Sequence, residues 1–340
     1  MPSADPVTAS ADRRGPRATL ADVARAAGVS AKTVSRVVSG EPNVAPATRT
    51  AVLDAAQRLQ FRPNRLARSL RAGGVSTTVG FVVGDLGNPF YAAVAGGVER
   101  VLAAHGLTLV IAAAEDDPDV ERTVVDALLA ERVRGLLLVP AAADQSYLEA
   151  EQRLGTPVVA VDRQAHGLVA DSVVLDNEHG AYDAVRALAS AGHRRIGFLG
   201  TNGSLATQQE RLAGYRRGLT GAGLDPDPAL EHVGPHAEDL DAAALHLLSA
   251  EPRPTAVLAG DNRASAAVVR AAGIPLDVTL VGFDDFELAD ALGVSVVAYD
   301  AAEMGRRAAD QLLARLADPS GPSRSVVVPT HLVRRGRLAQ

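Results

Sequence analysis

The sequence predicts a mixed α/β protein in two parts: a short, all-helical N-terminal head and a large, doubly wound α/β body. Three observations predict it. Across residues 19–60 apolar side chains recur at helical spacing. From about residue 79 onward, short apolar runs alternate with helix-like patterns, as in a parallel sheet covered by helices. Charge divides the chain at the same place: residues 1–74 carry 12 basic and 5 acidic side chains, and the remainder carries 22 and 35. The net charge of −6 over 340 residues therefore hides a basic head on an acidic body, the asymmetry of a chain that meets nucleic acid at one end.

In the head, Leu20, Val23, Ala24 and Ala27 fall at i, i+3, i+4 and i+7 of a first helix. Gly28 breaks it, since only glycine turns tightly there without a Cβ penalty. Val29 packs inward, and Ser30 is placed to cap a second helix running through Val38. Helix, glycine turn and helix make a helix-turn-helix outline. Val34, Val37 and Val38 form the buried stripe of the second helix, which turns Ala31, Lys32, Ser35 and Arg36 outward. Such positions are what a recognition helix offers to the major groove. Lys32 is the chain's one lysine among 34 basic residues. A solvated helix face is the plain reading of Lys32 and Arg36, and the turn motif beside them outweighs it. A third helix, about Ala47 to Gln60, is expected to bury Val52, Leu53, Ala56 and Leu59. Ala45 cannot cap it through a side chain, so Pro46 sets the first turn.

The boundaries that follow are a disordered tail (1–18), the helix-turn-helix domain (19–62), a basic linker (63–74) and the body (75–335). The tail is rich in Pro, Ala and Ser, lacks apolar periodicity, and adds weak phosphate attraction through Arg13, Arg14 and Arg17. Pro63 to Leu70 is too short for a stable isolated helix, because nucleation needs tertiary support.

Several classes are set aside. Without cysteine there is no disulfide framework, thiolate metal site or cysteine nucleophile. The first residues hold no export-signal core, and no apolar run is long enough to cross a membrane; the expected location is the cytoplasm, on the nucleoid. The 8 histidines are scattered without metal-binding spacing. Gly197–Gly203 fits neither the phosphate-loop nor the dinucleotide fingerprint, and no nucleophile elbow occurs. The expectation is a non-enzyme without cofactor or metal.

In the body, Val79–Val83, Leu107–Ala113, Leu136–Val139 and Val158–Val161 read as buried parallel strands, with helices near Phe90–Ala104 and Glu121–Ala130. A second series, Val173–Leu175, Arg195–Leu199, Ala256–Ala259 and Leu280–Gly282, implies a second lobe. A last strand is expected at Val326–Pro329. Ligands of open α/β sheets sit off the carboxyl ends of strands, here in a cleft between lobes.

Asp22-Val23-Ala24, Ala27-Gly28-Val29-Ser30 and Thr33-Val34-Ser35-Arg36-Val37-Val38 carry a specific resemblance, together with Thr48-Arg49 and Pro63-Asn64 … Ala67-Arg68-Ser69-Leu70. The chain resembles the LacI/GalR (lactose-repressor) family of bacterial transcription factors over roughly residues 19–335. The resemblance implies a repressor that binds a pseudo-palindromic double-stranded operator as a homodimer, under a small-molecule effector. It implies DNA contacts from Thr19, Leu20, Ser30, Ala31, Lys32, Thr33, Ser35, Arg36, Asn43 and Thr48. It also implies a hinge helix in which Leu70 wedges into the minor groove, Ala67 lets two backbones approach, and Asn64, Arg65 and Arg68 meet the DNA. Tyrosine is common in the family where this chain has Phe61, which leaves one backbone contact to DNA open.

For the body the resemblance implies a periplasmic-binding-protein-like pair of lobes joined by three crossings, near Val161–Arg163, Ala291–Asp300 and Ser320–Arg324. Asp85, Asn88, Phe90, Asp162, Thr207, Arg211, Asn262, Asp284 and Tyr299 match pocket positions. Arg211 would clamp adjacent ligand oxygens, and Asp284 would accept a pair of hydroxyls. For Asp85, Asp162, Phe90 and Tyr299 taken singly, a cap, a strand-end turn or core packing is an equal reading. Where the family commonly has Asn-Asp, this chain has Gly260-Asp261-Asn262; where sugar-responsive members carry Gln, it has Tyr299. A sugar comes first as ligand and a nucleobase second, and induction and co-repression stay open. A transport receptor is the other non-enzymatic reading, and the basic head weighs against it. No heptad run follows the last strand, so a dimer is expected over a tetramer.

Overall fold

The structure, a computed structural model, describes residues 18–61, 76–234 and 240–339. The predicted linker with Asn64, Arg65, Ala67, Arg68 and Leu70 lies outside the described residues, as does the tail through Arg17. The chain divides into two compact units between Ser76 and Thr77.

The head is three helices. Thr19 starts α1 (Leu20–Ala27) with a capping box: its hydroxyl accepts the Asp22 N–H at 3.3 Å, and the Asp22 carboxylate accepts the Thr19 N–H at 2.9 Å. Gly28 closes α1 in the left-handed region at φ 67°. Ser30 caps α2 (Ala31–Val38) as expected, accepting the Thr33 N–H at 3.1 Å. Pro46 opens α3 (Pro46–Arg58), which has no side-chain cap. Val23, Ala24, Val34, Val37, Val52 and Ala55 form the core. Leu53 and Leu59, expected inside, are 51% and 37% exposed. Burial of Val52 and Ala55 puts Leu53 on the flank of α3, and Leu59 falls at its C-cap. With about 1.5–3 kcal/mol from each large buried side chain and less from alanine, so small a core leans on its caps.

The body unit contains twelve strands among its described residues. They are β1 (Thr78–Val83), β2 (Thr108–Ala113), β3 (Gly135–Leu138), β4 (Val158–Asp162), β5 (Asp171–Leu175) and β6 (Ile196–Gly200), then β7 (Glu231–Val233), β8 (Ala256–Ala259), β9 (Thr279–Phe283), β10 (Ser295–Ala298), β11 (Ser325–Val328) and β12 (His331–Val333). Lobe 1 is a parallel sheet in the order β11-β5-β4-β3-β1-β2. Lobe 2 has the order β12-β10-β9-β8-β6-β7 and is parallel except for β12.

The intervening helices are α4 (Pro89–Ala104), α5 (Pro118–Ala130), α6 (Glu149–Arg153), α7 (Asn177–Ser190), α8 (Ala206–Gly221), α9 (Leu240–Leu248), α10 (Asn262–Ala272) and α11 (Ala301–Ala317). Glycines let two helix pairs approach closely. Gly97 of α4 faces the Ala302 carbonyl of α11, and Gly214 of α8 faces the Glu178 carbonyl of α7; a Cβ on either would collide with backbone.

Three expectations change. Val173–Leu175 belongs to lobe 1, because β5 pairs with β4. The resemblance implies a first crossing near Val161–Arg163, but the chain stays in the sheet and leaves after Leu175 for α7, which packs on β8, β10 and β12. The second crossing, between Ala298 and Ala301, falls near its expected place; the third is Pro329-Thr330, between β11 and β12 rather than before β11. Finally, β2 is an edge strand with Val110 and Ile111 41% and 40% exposed, not a buried one.

Candidate ligand cleft and nucleic-acid face

On the head, Ala31, Lys32 and Ser35 are exposed along one face of α2, opposite buried Val34 and Val37. Arg36 is half-buried and turned back, donating to Glu41 Oε2 at 2.8 Å and to the Asn43 carbonyl at 3.0 Å. Thr19, Ser30 and Thr33 serve the helix starts, and Leu20 packs on the core. Asn43 is exposed and Thr48 half-buried.

In the body, strand ends from both lobes converge on a cleft of about 840 Å³. From lobe 1 come Asp85 and Asn88 after β1, Phe90 and Tyr91 at the start of α4, and Asp162-Arg163 at the end of β4. From lobe 2 come Thr201 after β6, Thr207, Gln208 and Arg211 on α8, Asp261 after β8, Asp284 after β9 and Tyr299 after β10. Eight of the nine predicted pocket residues thus line one cavity. The ninth, Asn262, lies beside it: its side-chain amide donates to Asn88 Oδ1 across the lobes at 2.9 Å.

Two aspartates hold left-handed backbone at strand ends, Asp162 at φ 67° and Asp284 at φ 77°. Asp and Asn tolerate this region better than most residues. Tyr91 donates its hydroxyl to Asp162 at 3.4 Å, and Tyr299 donates to Asp284, which also accepts the Asn262 N–H at 3.2 Å. Burial pushes both tyrosines well above their ordinary pKa, so their hydroxyls stay protonated as donors. Burial also holds Asp162 above the usual carboxylate range; Arg163 and Arg211 offset this in part, while Asp284 and Asp116 add repulsion. Asp261 is raised by burial too, against the Thr201 hydroxyl that donates to it at 2.6 Å.

The two buried guanidinium groups are held differently. Arg163 meets Asp116 at 2.8 Å and Asp162 at 3.7 Å, and donates to the Pro140 carbonyl at 3.0 Å and the Tyr91 oxygen at 3.3 Å. Arg211 lies 3.8 Å over the Phe283 ring and donates to Asn177 Oδ1 at 2.8 Å and the Gly260 carbonyl at 2.6 Å. Both hydrogen bonds go to neutral acceptors and engage two of the guanidinium's about five N–H donors within lobe 2.

Sequence reading missed Tyr91, Asp116, Arg163 and Asp261. The Asp162-Arg163 pair at a strand end was visible; Asp116 reaches the cleft only through the turn after β2, which no local pattern reveals. Glu121 was also missed. Fully buried on α5, it accepts the N–H groups of Ala141 and Ala142 at 2.5 and 3.1 Å and the Tyr147 hydroxyl at 2.8 Å, fixing a loop that lines the cleft.

Comparisons with known proteins agree with this layout. Residues 19–64 match the model of bacterial regulatory proteins of the lacI family, and residues 76–335 match that of periplasmic binding proteins and the sugar-binding domain of the LacI family. The regulator GalR of Escherichia coli is 34% identical over 94% of this chain and 95% of its own length. A structure of the regulator CelR with cellobiose is 31% identical, with a TM-score of 0.68 over 94% of this chain and 99% of that one. The lac repressor dimer bound to operator and an anti-inducer is 26% identical, with a TM-score of 0.78 over 95% and 99%.

Proposed function

Because the chain belongs to the LacI family of bacterial regulatory proteins, we propose that it is a transcriptional repressor that binds a pseudo-palindromic operator as a homodimer. A small molecule in the interlobe cleft, a sugar or sugar derivative, controls it allosterically. Exposed Ala31, Lys32 and Ser35 on α2 read bases in the major groove, while Arg36, braced by Glu41, sits at the edge of that face. The observation that carries the effector half is the convergence of strand ends from both lobes on one cleft, with polar side chains of lobe 1 and lobe 2 on facing walls. A ligand touching both walls favours one degree of lobe closure, and only such differential affinity can shift a DNA-binding equilibrium. The site of action is the cytoplasm, on the nucleoid.

Selection of bound sequences from random duplex DNA, with the full-length protein near physiological salt, tests this reading. The expected product is a two-half-site palindrome with a flexible central step. Lys32→Ala should then change the preferred bases; an equal loss on every sequence would make Lys32 a phosphate contact instead. Failure to enrich any sequence, with cell metabolites present or absent, would contradict the proposal.

A further inference from the structure

The cleft wall is unbalanced in charge and in hydrogen-bonding sense. Asp85, Glu115, Asp116, Asp117, Asp162, Asp261 and Asp284 face three cations, Arg163, Arg211 and Arg263. Arg163 is bound to Asp116 and Asp162, and Arg263 lies 3.7 Å from Asp85. Arg211 has its Nε on Asn177, one Nη1 bond to Gly260 and its face on Phe283. Its charge acts on Asp162 and on Asp261, and both of those also feel Asp284. At the heart of the cleft Arg163 and Arg211 therefore stand against Asp116, Asp162, Asp261 and Asp284, two cations to four carboxylates.

A carboxylate has about four acceptor sites. Asp162 uses one for the Tyr91 hydroxyl, with Arg163 Nε 3.7 Å away, and Asp284 uses two, for Tyr299 and the Asn262 N–H. These two carboxylates thus keep more than half of their acceptor sites for the cavity, which suits a ligand rich in donors. A phosphate or carboxylate group offers none when ionised and would enter against excess negative charge.

Resting on the sugar-effector reading above, we infer that the effector is an uncharged, hydroxyl-rich sugar, and that phosphorylated sugars and nucleotides are excluded. Asp162 and Asp284 each accept its hydroxyls from opposite lobes, while the N–H groups of Arg211 not engaged by Asn177 and Gly260 donate to a ring or hydroxyl oxygen. Arg211 is then a neutral-sugar contact rather than an anion clamp.

The test is titration calorimetry on the full-length protein with matched pairs of probes. These are D-ribose and ribose 5-phosphate, D-galactose and galactose 6-phosphate, and cellobiose and cellobiose 6-phosphate. At least one parent sugar should bind, with its phosphate ester weaker by about tenfold or more. Asp284→Asn, whose side chain tolerates the same left-handed backbone, should weaken the parent sugar by about tenfold in the same titration. A phosphate ester that binds as tightly as its parent overturns the inference, and so does the absence of binding in every pair. Recovery of a palindrome in the DNA selection alongside either result would confine the failure to the ligand class and leave the regulator reading standing.

Discussion

The two lobes solve one problem in different ways. Each is a six-stranded sheet, and each ends a strand in an aspartate at positive φ that takes a tyrosine hydroxyl. Lobe 1 sets a buried arginine beside its acid, so Asp162, Arg163 and Asp116 form a local ion cluster. Lobe 2 places its buried arginine on a helix instead, over an aromatic ring and on neutral acceptors. Lobe 1 carries a wall whose buried cation is locally quenched; lobe 2 carries a buried cation that acts across the cleft, lowering the cost of Asp162 as well as Asp261. The attractive electrostatic link between the lobes is thus carried by lobe 2's arginines, Arg211 toward Asp162 and Arg263 toward Asp85 at 3.7 Å.

The largest expected effect breaks the comparison if it is absent. Arg163→Ala leaves buried Asp162 and half-buried Asp116 without their adjacent cation and should cost about 3–5 kcal/mol in urea unfolding. Arg211→Ala loses hydrogen bonds and a ring contact but orphans no directly paired carboxylate, and should cost about 2 kcal/mol. Equal losses would mean that the two arginines are held in the same way.

Next, Gly97→Ala in lobe 1 and Gly214→Ala in lobe 2 each drive a methyl into a facing helix carbonyl. Each should lose roughly 1–3 kcal/mol, read from the unfolding midpoint. A loss in one lobe alone would show that only that helix pair is rigid.

A smaller effect concerns pH. Because the folded pKa of Asp162 is raised, its ionisation opposes folding: stability is highest below the unfolded value and falls as pH rises through the folded one. Asp162→Asn removes that loss, so its Tm should exceed that of the wild type by a few degrees at pH 7 and converge with it in acid. A lower Tm at pH 7 would mean that Asp162 gains more from Arg163 than it loses by burial.

The smallest effect is Asn262→Ala, which removes the hydrogen bond that its amide donates to Asn88 Oδ1 across the lobes. It should cost no more than about 1 kcal/mol of stability.

Periodicity and turn chemistry made much of this legible in the sequence. Ser30 and Gly28 bounded α2 correctly because caps and left-handed turns are local. The strand-end aspartates were legible because they follow apolar runs. What stayed hidden was non-local. Alternation of strand and helix does not say which sheet a strand joins, so β5 was placed in the wrong lobe. It does not separate a central strand from the edge strand β2 either. Arg211 was found, but not its partners: Phe283, Asn177 and the Gly260 carbonyl are brought together by the fold. Asn262 matched a pocket position, yet its amide faces Asn88, 174 residues away.

The central claim is that lobe closure governs DNA binding, and it can be tested before any effector is known. The chain has no cysteine, so Asn88→Cys with Asn262→Cys gives one pair of thiols that a short bifunctional reagent can bridge across the cleft. Affinity for the selected duplex should then be measured with and without the bridge. A change of about tenfold or more on bridging, reversed when a cleavable bridge is cut, is the predicted result. Equal affinity in the bridged and unbridged protein would contradict the account.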